Sequence, residues 1–224
     1  MNRRVVKTDD GSMTLYVPAL GEHYHSIYGA ITESEHIFIR SGLRQCNAES
    51  VRILEYGMGT GLNVLLTYQL ACRTGQKIDY HAIEKYPVSS EEIKLLDMNR
   101  AMGVGDQYII SKIHDGNWEE PVPLSDDFVL YKEHADFRQA QPEGLFDLVY
   151  FDAFAPDVQP GLWSADLFVR IFSYLSPGAI LLTYSAKGTV RRSLRAAGFE
   201  VEKLPGPPGK REISRALKPA AEGT

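Results

Sequence analysis

The stretch that decides the fold is Val51-Arg52-Ile53-Leu54-Glu55-Tyr56-Gly57-Met58-Gly59-Thr60-Gly61-Leu62-Asn63. It begins with a largely apolar run, which is typical of a parallel strand covered on both faces. Gly57, Gly59 and Gly61 then allow the backbone to turn tightly and to approach a ligand closely. A helix predicted over residues 62–73 directs free N–H groups and the positive end of its dipole at that ligand. The stretch therefore predicts a strand, a turn and a helix that receive an anionic group.

The spacing of the glycines indicates which ligand is bound. The dinucleotide fingerprint is G-x-G-x-x-G, whereas this chain has G-x-G-x-G and carries Leu62 where the last glycine would stand. The observed spacing fits S-adenosylmethionine, anchored by its methionine carboxylate, better than a nicotinamide dinucleotide. A turn of the same kind in an unrelated α/β domain is the alternative.

A second strand, predicted over residues 78–84, ends on an acid. Glu84 follows Gly61 by 23 residues, a distance at which a carboxylate accepts hydrogen bonds from ribose hydroxyls. An ordinary solvated glutamate at a strand end is the alternative. We predict that Gly57, Gly59, Gly61 and Glu84 surround the cofactor.

A third buried strand carries the candidate catalytic group. In Phe146-Asp147-Leu148-Val149-Tyr150-Phe151-Asp152-Ala153-Phe154-Ala155-Pro156, the acid Asp152 follows the strand directly. Ligands of open α/β sheets lie beyond the carboxyl ends of the strands, and a carboxylate there would hydrogen-bond an amine nucleophile and stabilise its developing charge. The alternative for Asp152 is a helix cap or a loop acid. Phe154 is either a stacking platform for a flat substrate ring or a core aromatic, and Asp136 is either an acceptor for the adenine amino group or a surface acid.

Composition predicts one cytoplasmic domain without a metal site. The 224 residues are 44% hydrophobic and 24% charged, which is ordinary for a globular protein. The N-terminus has no apolar segment of the kind that signal peptides carry, and no apolar run approaches the ~18 residues that span a membrane. Cys46 and Cys72 are isolated, so neither a disulfide framework nor a zinc site is expected.

The distribution of charge favours an anionic partner. The net charge is −5, but residues 183–224 hold nine basic and four acidic side chains. Such asymmetry indicates either a basic patch for nucleic acid or a solvated helix face with a basic terminus.

The order of elements predicts an α/β, Rossmann-like fold, with a mostly parallel, doubly wound sheet and an antiparallel C-terminal pair. Residues 13–40 are expected to form a β-rich lead-in with a helix near 34–41. We divide the chain into an N-terminal extension packed on the core (1–45), a methyltransferase domain (46–218) and a tail (219–224). The remaining predicted strands are 108–113, 128–133, 179–184, 199–204 and 212–217, and the remaining predicted helices are 89–102, 162–175 and 187–197.

Several segments together resemble one family. Besides the two stretches quoted above, they are His23-Tyr24-His25-Ser26, Glu33-Ser34-Glu35-His36, Glu84-Lys85-Tyr86-Pro87, Tyr184-Ser185-Ala186-Lys187-Gly188-Thr189-Val190-Arg191-Arg192 and Gly206-Pro207-Pro208-Gly209-Lys210-Arg211-Glu212. Over roughly residues 23–215 the chain resembles the tRNA 5-methylaminomethyl-2-thiouridine methyltransferases, which are class I methyltransferases dependent on S-adenosylmethionine.

The resemblance implies methyl transfer from S-adenosylmethionine to the amine of 5-aminomethyl-(2-thio)uridine at the wobble position of tRNA. It implies that Glu55 lines the cofactor site together with Gly57, Gly59 and Glu84. It also implies that Asp152 contacts the amine, with Phe154 and Pro156 beside it. Anticodon-stem phosphates would meet a basic set consisting of Lys187, Arg191, Arg192, Lys210 and Arg211. No membrane and no obligate protein partner is expected.

The chain departs from the family pattern in one respect, and three alternative functions remain. In several bacteria this domain is fused to a flavin-dependent oxidoreductase, and the absence of a second glycine-rich unit here suggests a stand-alone methylating form. The alternatives are aminopropyl transfer to a polyamine, a nicotinamide oxidoreductase, and a non-catalytic tRNA-binding module that holds the cofactor. The basic C-terminal region disfavours aminopropyl transfer, and the glycine spacing disfavours a nicotinamide oxidoreductase. The presence of Asp152 disfavours a non-catalytic module.

Overall fold

An eight-stranded sheet positions the ends of its central strands side by side. The computed structural model describes residues 1–98 and 107–220, and within them the sheet order is β10-β11-β9-β8-β4-β5-β7-β6. The strands are β4 (Ser50–Tyr56), β5 (Lys77–Ile83), β6 (Pro121–Ser125), β7 (Phe128–Glu133), β8 (Phe146–Phe151), β9 (Leu175–Thr183), β10 (Glu200–Pro205) and β11 (Glu212–Leu217).

The five central strands are parallel, and both edges of the sheet are antiparallel. Strands β7, β5, β4, β8 and β9 pair in parallel. At one edge β11 pairs antiparallel with β9 and with β10, as the sequence predicts. At the other edge β6 pairs antiparallel with β7. This arrangement confirms the predicted Rossmann-like fold, and it places the carboxyl ends of β4 and β8 next to each other.

Helices cover both faces of the sheet. They are α2 (Leu62–Thr74), α3 (Ser90–Leu96), α4 (Gln107–Asp115), α5 (Ala165–Ser173) and α6 (Gly188–Ala196). Helix α2 begins after Gly61 and ends before Gly75, both in the left-handed conformation at φ +73°. Helix α3 starts with the capping box formed by Ser89 and Glu92. Its predicted extension to residue 102 lies partly outside the described residues.

The predicted strand over residues 108–113 is wrong, because these residues lie in α4. Ile109 and Ile113 are both buried, and Tyr108 is exposed. Apolar residues four apart share one face of a helix, but the same two isoleucines also match the alternation of a strand. The polar stretch that follows includes β6, which pairs antiparallel with β7.

The predicted helix over residues 162–175 is shorter and is interrupted. A 3₁₀ turn spans Pro160–Trp163, and Ser164 then caps α5 by accepting a hydrogen bond from the Leu167 N–H. Leu175 already belongs to β9, which runs through Pro177 and Gly178 instead of starting after them. A register shift between β8 and β9 accommodates this pair.

The N-terminal residues form a small sheet and a helical segment beside the large sheet. Strands β1 (Arg4–Lys7), β2 (Met13–Val17) and β3 (Glu22–His23) pair antiparallel. Helix α1 (Ala30–Ser34) continues as a π-helix over Glu35–Arg40, where the sequence predicts a helix. The ring of Phe38 lies 4.9 Å from that of Tyr150 on β8. Of the predicted tail, residues 221–224 lie outside the described residues.

Candidate active site

A cavity of about 580 Å³ opens at the carboxyl ends of β4, β5 and β8. We call it the strand-end cavity. The large sheet contributes the turn after β4, the residues that follow β5, and the residues that follow β8. The N-terminal segment closes the opposite wall. The residues that line the cavity include Tyr24, Glu33, Gly57, Gly59, Glu84, Asp136, Asp152, Phe154, Tyr184 and Lys210.

The glycine turn has no room for side chains at two positions. Gly57 has φ +97°, and a Cβ there would lie 2.6 Å from the carbonyl oxygen of Asp152. Gly59 has φ +51°, and its Cβ would lie 2.8 Å from Cδ1 of Tyr24. Any larger residue would separate the turn from Asp152 or from the N-terminal wall. Gly61 instead faces His114 and Ile113 and starts α2.

Glu84 is tied to the same turn. Its Oε2 accepts a hydrogen bond from the Gly59 N–H at 3.1 Å, and its Oε1 accepts one from the Tyr86 N–H at 2.6 Å. The carboxylate is buried yet lines the cavity. Because each carboxylate oxygen has two lone pairs, Glu84 keeps acceptor capacity for hydroxyl groups of a ligand.

Asp136 lies on the same side of the cavity, between two cations. Its Oδ2 is 2.9 Å from both Lys85 Nζ and Arg138 Nη2. Hydrogen bonds from Arg138, and then from Lys85, hold the pKa of the Asp136 carboxyl well below its usual range in spite of some burial. This carboxylate is therefore ionised throughout the physiological range.

Glu55 does not line the cavity but lies beneath it, fully buried. Its Oε1 accepts a hydrogen bond from Asn63 Nδ2 at 2.8 Å, and its Oε2 accepts one from the Tyr80 hydroxyl at 2.9 Å. Burial raises the pKa of Glu55 to about 8, against the opposing effect of the Asn63 hydrogen bond. Glu55 thus supports the site from below.

Asn63 links that buried acid to Asp152. The same Nδ2 donates to Asp152 Oδ2 at 3.1 Å, whereas no described residue donates a hydrogen bond to Asp152 Oδ1. Burial, and then repulsion from Glu33, raises the pKa of Asp152 to about 7, while Asn63 and Lys210 act in the opposite direction. One oxygen of Asp152 is therefore fixed by the protein, and the other is left for a ligand.

Aromatic side chains form the wall that follows Asp152. The ring of Phe154 meets that of Tyr24 edge to face at 5.1 Å, and the Phe154 carbonyl accepts a hydrogen bond from Trp163 Nε1 at 2.9 Å. The Tyr184 hydroxyl donates to the Ala153 carbonyl at 2.8 Å. Pro156 is buried behind this wall and does not line the cavity.

The five predicted phosphate-binding residues occupy different environments. Arg192 and Arg211 are exposed. Lys187 is exposed and pairs with Asp157, and Arg191 lies 3.6 Å from Glu212. Lys210 instead lines the strand-end cavity, with its Nζ 3.2 Å from Glu33 Oε1. The structure therefore does not bring the five onto one surface.

Sequence reasoning about the site missed Asn63, Glu33 and Tyr24. Each of them lies in a stretch that carries the family resemblance, and Asn63 follows the glycine turn by two residues. Asn63 was detectable, because the first turn of a helix after a glycine turn faces the ligand. Glu33 and Tyr24 lie far from the turn in sequence, and only the folding of the N-terminal segment brings them to it.

The described residues hold neither a metal-binding cluster nor a membrane-spanning helix. Within residues 1–98 and 107–220, no group of three or more His, Cys, Asp and Glu side chains could hold a metal ion. Over the same ranges, no helix has the length and apolar character needed to cross a membrane.

Comparison with known proteins identifies relatives of this architecture. Residues 129–219 match a family of S-adenosyl-L-methionine-dependent methyltransferases. Over 94% of its length the chain is 32% identical to the tRNA 5-methylaminomethyl-2-thiouridine biosynthesis bifunctional protein MnmC of Cupriavidus metallidurans, of which it covers 33%. Over 92% of its length it is 33% identical to the protein of the same name from Burkholderia multivorans, of which it also covers 33%. The chain thus spans about a third of the length of these relatives.

A solved structure has the same fold. The crystal structure of MNMC2 from Aquifex aeolicus superposes with a TM-score of 0.76 at 23% identity, covering 100% of this chain and 72% of that one. The cofactor is S-adenosyl-L-methionine, as the glycine spacing predicts, and this excludes a nicotinamide oxidoreductase. The chain is thus similar to S-adenosyl-L-methionine-dependent methyltransferases over residues 129–219 and, over nearly its whole length, to part of the MnmC proteins.

Proposed function

We propose that this protein transfers a methyl group from S-adenosyl-L-methionine to the amine of 5-aminomethyl-(2-thio)uridine at the tRNA wobble position. The product is 5-methylaminomethyl-(2-thio)uridine. The observation that carries the proposal is the single cavity in which a glycine turn and Asp152 lie in contact. The relatives act in the biosynthesis of 5-methylaminomethyl-2-thiouridine in tRNA, and this supports a modified uridine as the acceptor.

Gly57, Gly59, Glu84 and Asp136 would hold the cofactor. The space that a Cβ at Gly57 or Gly59 would fill supports close approach of a ligand to the backbone. Glu84 keeps lone pairs for the ribose hydroxyls, and Asp136 would accept a hydrogen bond from the adenine amino group. Gly61 contributes by starting α2 at the turn, and Glu55 contributes through Asn63.

Asp152 would receive the substrate amine. S-adenosyl-L-methionine supplies an electrophilic methyl group, and an amine must present a free lone pair to accept it. Asp152 Oδ1 would accept a hydrogen bond from the amine, while Asn63 holds Oδ2. With a pKa of about 7, the carboxylate orients the amine near neutral pH and takes up the proton that methylation releases. The rings of Phe154 and Tyr24 would pack against the uracil.

The tRNA backbone would lie across the basic residues outside the cavity. Arg192 and Arg211 are exposed, and Lys187 and Arg191 pair with acids that a phosphate can displace. Such contacts add affinity without base identity and weaken as salt rises. A tRNA substrate also supports a cytoplasmic location.

The test is transfer of label from S-adenosyl-L-methionine to tRNA. The tRNA comes from a strain that lacks the wobble aminomethyl methylase, and its nucleosides are separated after the reaction. We expect label in 5-methylaminomethyl-uridine nucleosides, and none with tRNA that already carries the methyl group. Cofactor binding without any label in tRNA would refute the proposal and favour a small amine as substrate.

A further inference from the structure

Lys210 and Arg211 are neighbours in sequence, but their surroundings differ. Lys210 lines the strand-end cavity, and its Nζ lies 4.9 Å from the centroid of the Tyr184 ring. Arg211 is exposed, with no side-chain hydrogen bond or ion pair to any described residue. Both residues lie between the turn at Pro208–Gly209 and the start of β11, and there the two side chains reach different regions.

The loop that carries Lys210 is held against the N-terminal segment. A Cβ at Gly209 would lie 2.2 Å from Cδ2 of Tyr28, and a Cβ at Gly206 would lie 2.4 Å from the Lys210 carbonyl oxygen. The Pro205 carbonyl contacts His36 Nε2 at 2.8 Å. Tight packing on both sides of Lys210 therefore fixes where its side chain enters the cavity.

The partner of Lys210 is a buried acid that nothing in the proposed chemistry uses. Glu33 accepts a hydrogen bond from the Ser26 N–H through Oε2 at 2.7 Å and contacts Lys210 Nζ through Oε1 at 3.2 Å. The Glu33 carboxylate is buried, and a buried carboxylate requires a partner. The contact of Lys210 with Glu33 is therefore specific and is not a chance surface pair.

Glu33 and Asp152 are like charges lining one cavity. Repulsion from Glu33 disfavours ionisation of Asp152, and Lys210 opposes that effect. The other titratable groups that interact electrostatically with Asp152 are Glu55 and Tyr80 beneath the cavity and Tyr184 in its lining. Lys210 is the cation among them, so it decides how readily Asp152 becomes a carboxylate.

We propose that Lys210 is a positioning residue of the cavity: it neutralises Glu33 and leaves Asp152 as the carboxylate that meets the substrate amine. Arg211 alone of the pair meets phosphate. At this end of the cavity, Asp152, Glu33 and Lys210 together carry one net negative charge. That charge matches a substrate with a single amine better than a polyamine. The inference rests on the proposed function, because it takes the amine as the acceptor.

The experiment measures kcat between pH 5 and 9 on a synthetic anticodon stem-loop that carries 5-aminomethyluridine. In Lys210→Met the acid limb of kcat moves to higher pH by about one unit, which is roughly a tenfold loss at pH 6. Its KM for RNA and its salt dependence stay those of the wild type. Lys210→Arg returns the acid limb of kcat to its wild-type pH. The double variant Glu33→Gln/Lys210→Met does the same, because it removes both charges.

Arg211→Ala is the matched variant. It should raise KM for RNA at unchanged kcat and lower the slope of log KM against log salt by about one. The inference is overturned if Lys210→Met behaves like Arg211→Ala, or if Glu33→Gln fails to rescue it.

A second measurement separates this inference from the proposed function. The Asp152 carboxyl is titrated by ¹³C NMR without RNA, in the wild type, in Lys210→Met and in the double variant. A shift in Lys210→Met that the double variant reverses supports the role of Lys210 whatever the substrate is. If this shift occurs in Lys210→Met but the wild-type protein leaves the RNA unmethylated, only the assignment of the substrate is refuted.

Discussion

Asp152 and Asp136 line the same cavity, yet their surroundings drive the pKa values of their carboxyl groups in opposite directions. Asp152 is packed against the glycine turn and faces another acid, whereas Asp136 lies between Lys85 and Arg138. A carboxylate held by two cations binds neutral donors without taking up a proton. A carboxylate with a pKa near 7 exchanges a proton at neutral pH. The comparison supports the proposal that one end of the cavity binds the cofactor and the other takes part in the reaction.

The largest expected effect comes from Asp152→Asn. The amide keeps the shape of the side chain but cannot take up a proton, so kcat should fall by roughly a hundredfold or more. Affinity for S-adenosyl-L-methionine, measured by calorimetry, and for tRNA should change little. Turnover near the wild-type rate would contradict the role assigned to Asp152. Binding of both ligands without turnover in the wild type would favour the non-catalytic module.

The next effect concerns Asn63, which fixes one oxygen of Asp152. Asn63→Ala removes a donor that favours the ionised form, so kcat should fall roughly tenfold at pH 6 and recover partly at higher pH. Thr67→Val is the control, since it lies one turn further along α2 and removes only a long contact of 3.4 Å to the Tyr150 hydroxyl. An equal loss at every pH would show that Asn63 acts through folding.

A smaller effect is expected at the other end of the cavity. Asp136→Ala removes the proposed acceptor for the adenine amino group and leaves Lys85 and Arg138 without their shared partner. We expect the Kd for S-adenosyl-L-methionine to rise roughly three- to tenfold, as for one lost hydrogen bond. At saturating cofactor, kcat should stay unchanged. A fall in kcat at unchanged Kd would remove the distinction between the two ends.

The smallest effect is on stability and concerns Glu55. Its pKa is about 8 in the folded protein and near its ordinary value in the unfolded chain, so the folded state binds more protons between these values. The contribution of Glu55 is therefore fully present at low pH and is lost as pH rises toward 8. Glu55→Gln should remove this dependence and raise Tm relative to the wild type by several degrees at pH 9. Calorimetric Tm values of both proteins at pH 5 and pH 9 test this prediction. The same difference in Tm at both pH values would contradict it.

The positions of Asp152 and Glu84 follow from sequence patterns. Each acid comes directly after an apolar strand, and the carboxyl ends of parallel strands meet at one edge of the sheet. The glycine spacing predicted the turn, and the family comparison bears out the cofactor that it indicated. Local patterns suffice here because the strand, the turn and the acid are contiguous in the chain.

Local patterns failed where two periodicities coincide or where a contact is distant. Ile109 and Ile113 fit a strand and a helix equally well, and packing of both against the core selected the helix. The Lys210–Glu33 pair joins residues far apart in the chain. No periodicity encodes such a pair.

By itself, the sequence determined most of the order of strands and helices, the parallel core, and the acids at the strand ends, since these depend on hydrophobic burial and on turn chemistry within short segments. Only the tertiary structure decided what surrounds each acid. It placed Glu33 opposite Asp152, Lys85 and Arg138 around Asp136, and Lys210 inside the cavity instead of on the surface. The physical reason is that a carboxyl pKa depends on burial and on charges within a few ångströms, whatever their separation in the chain.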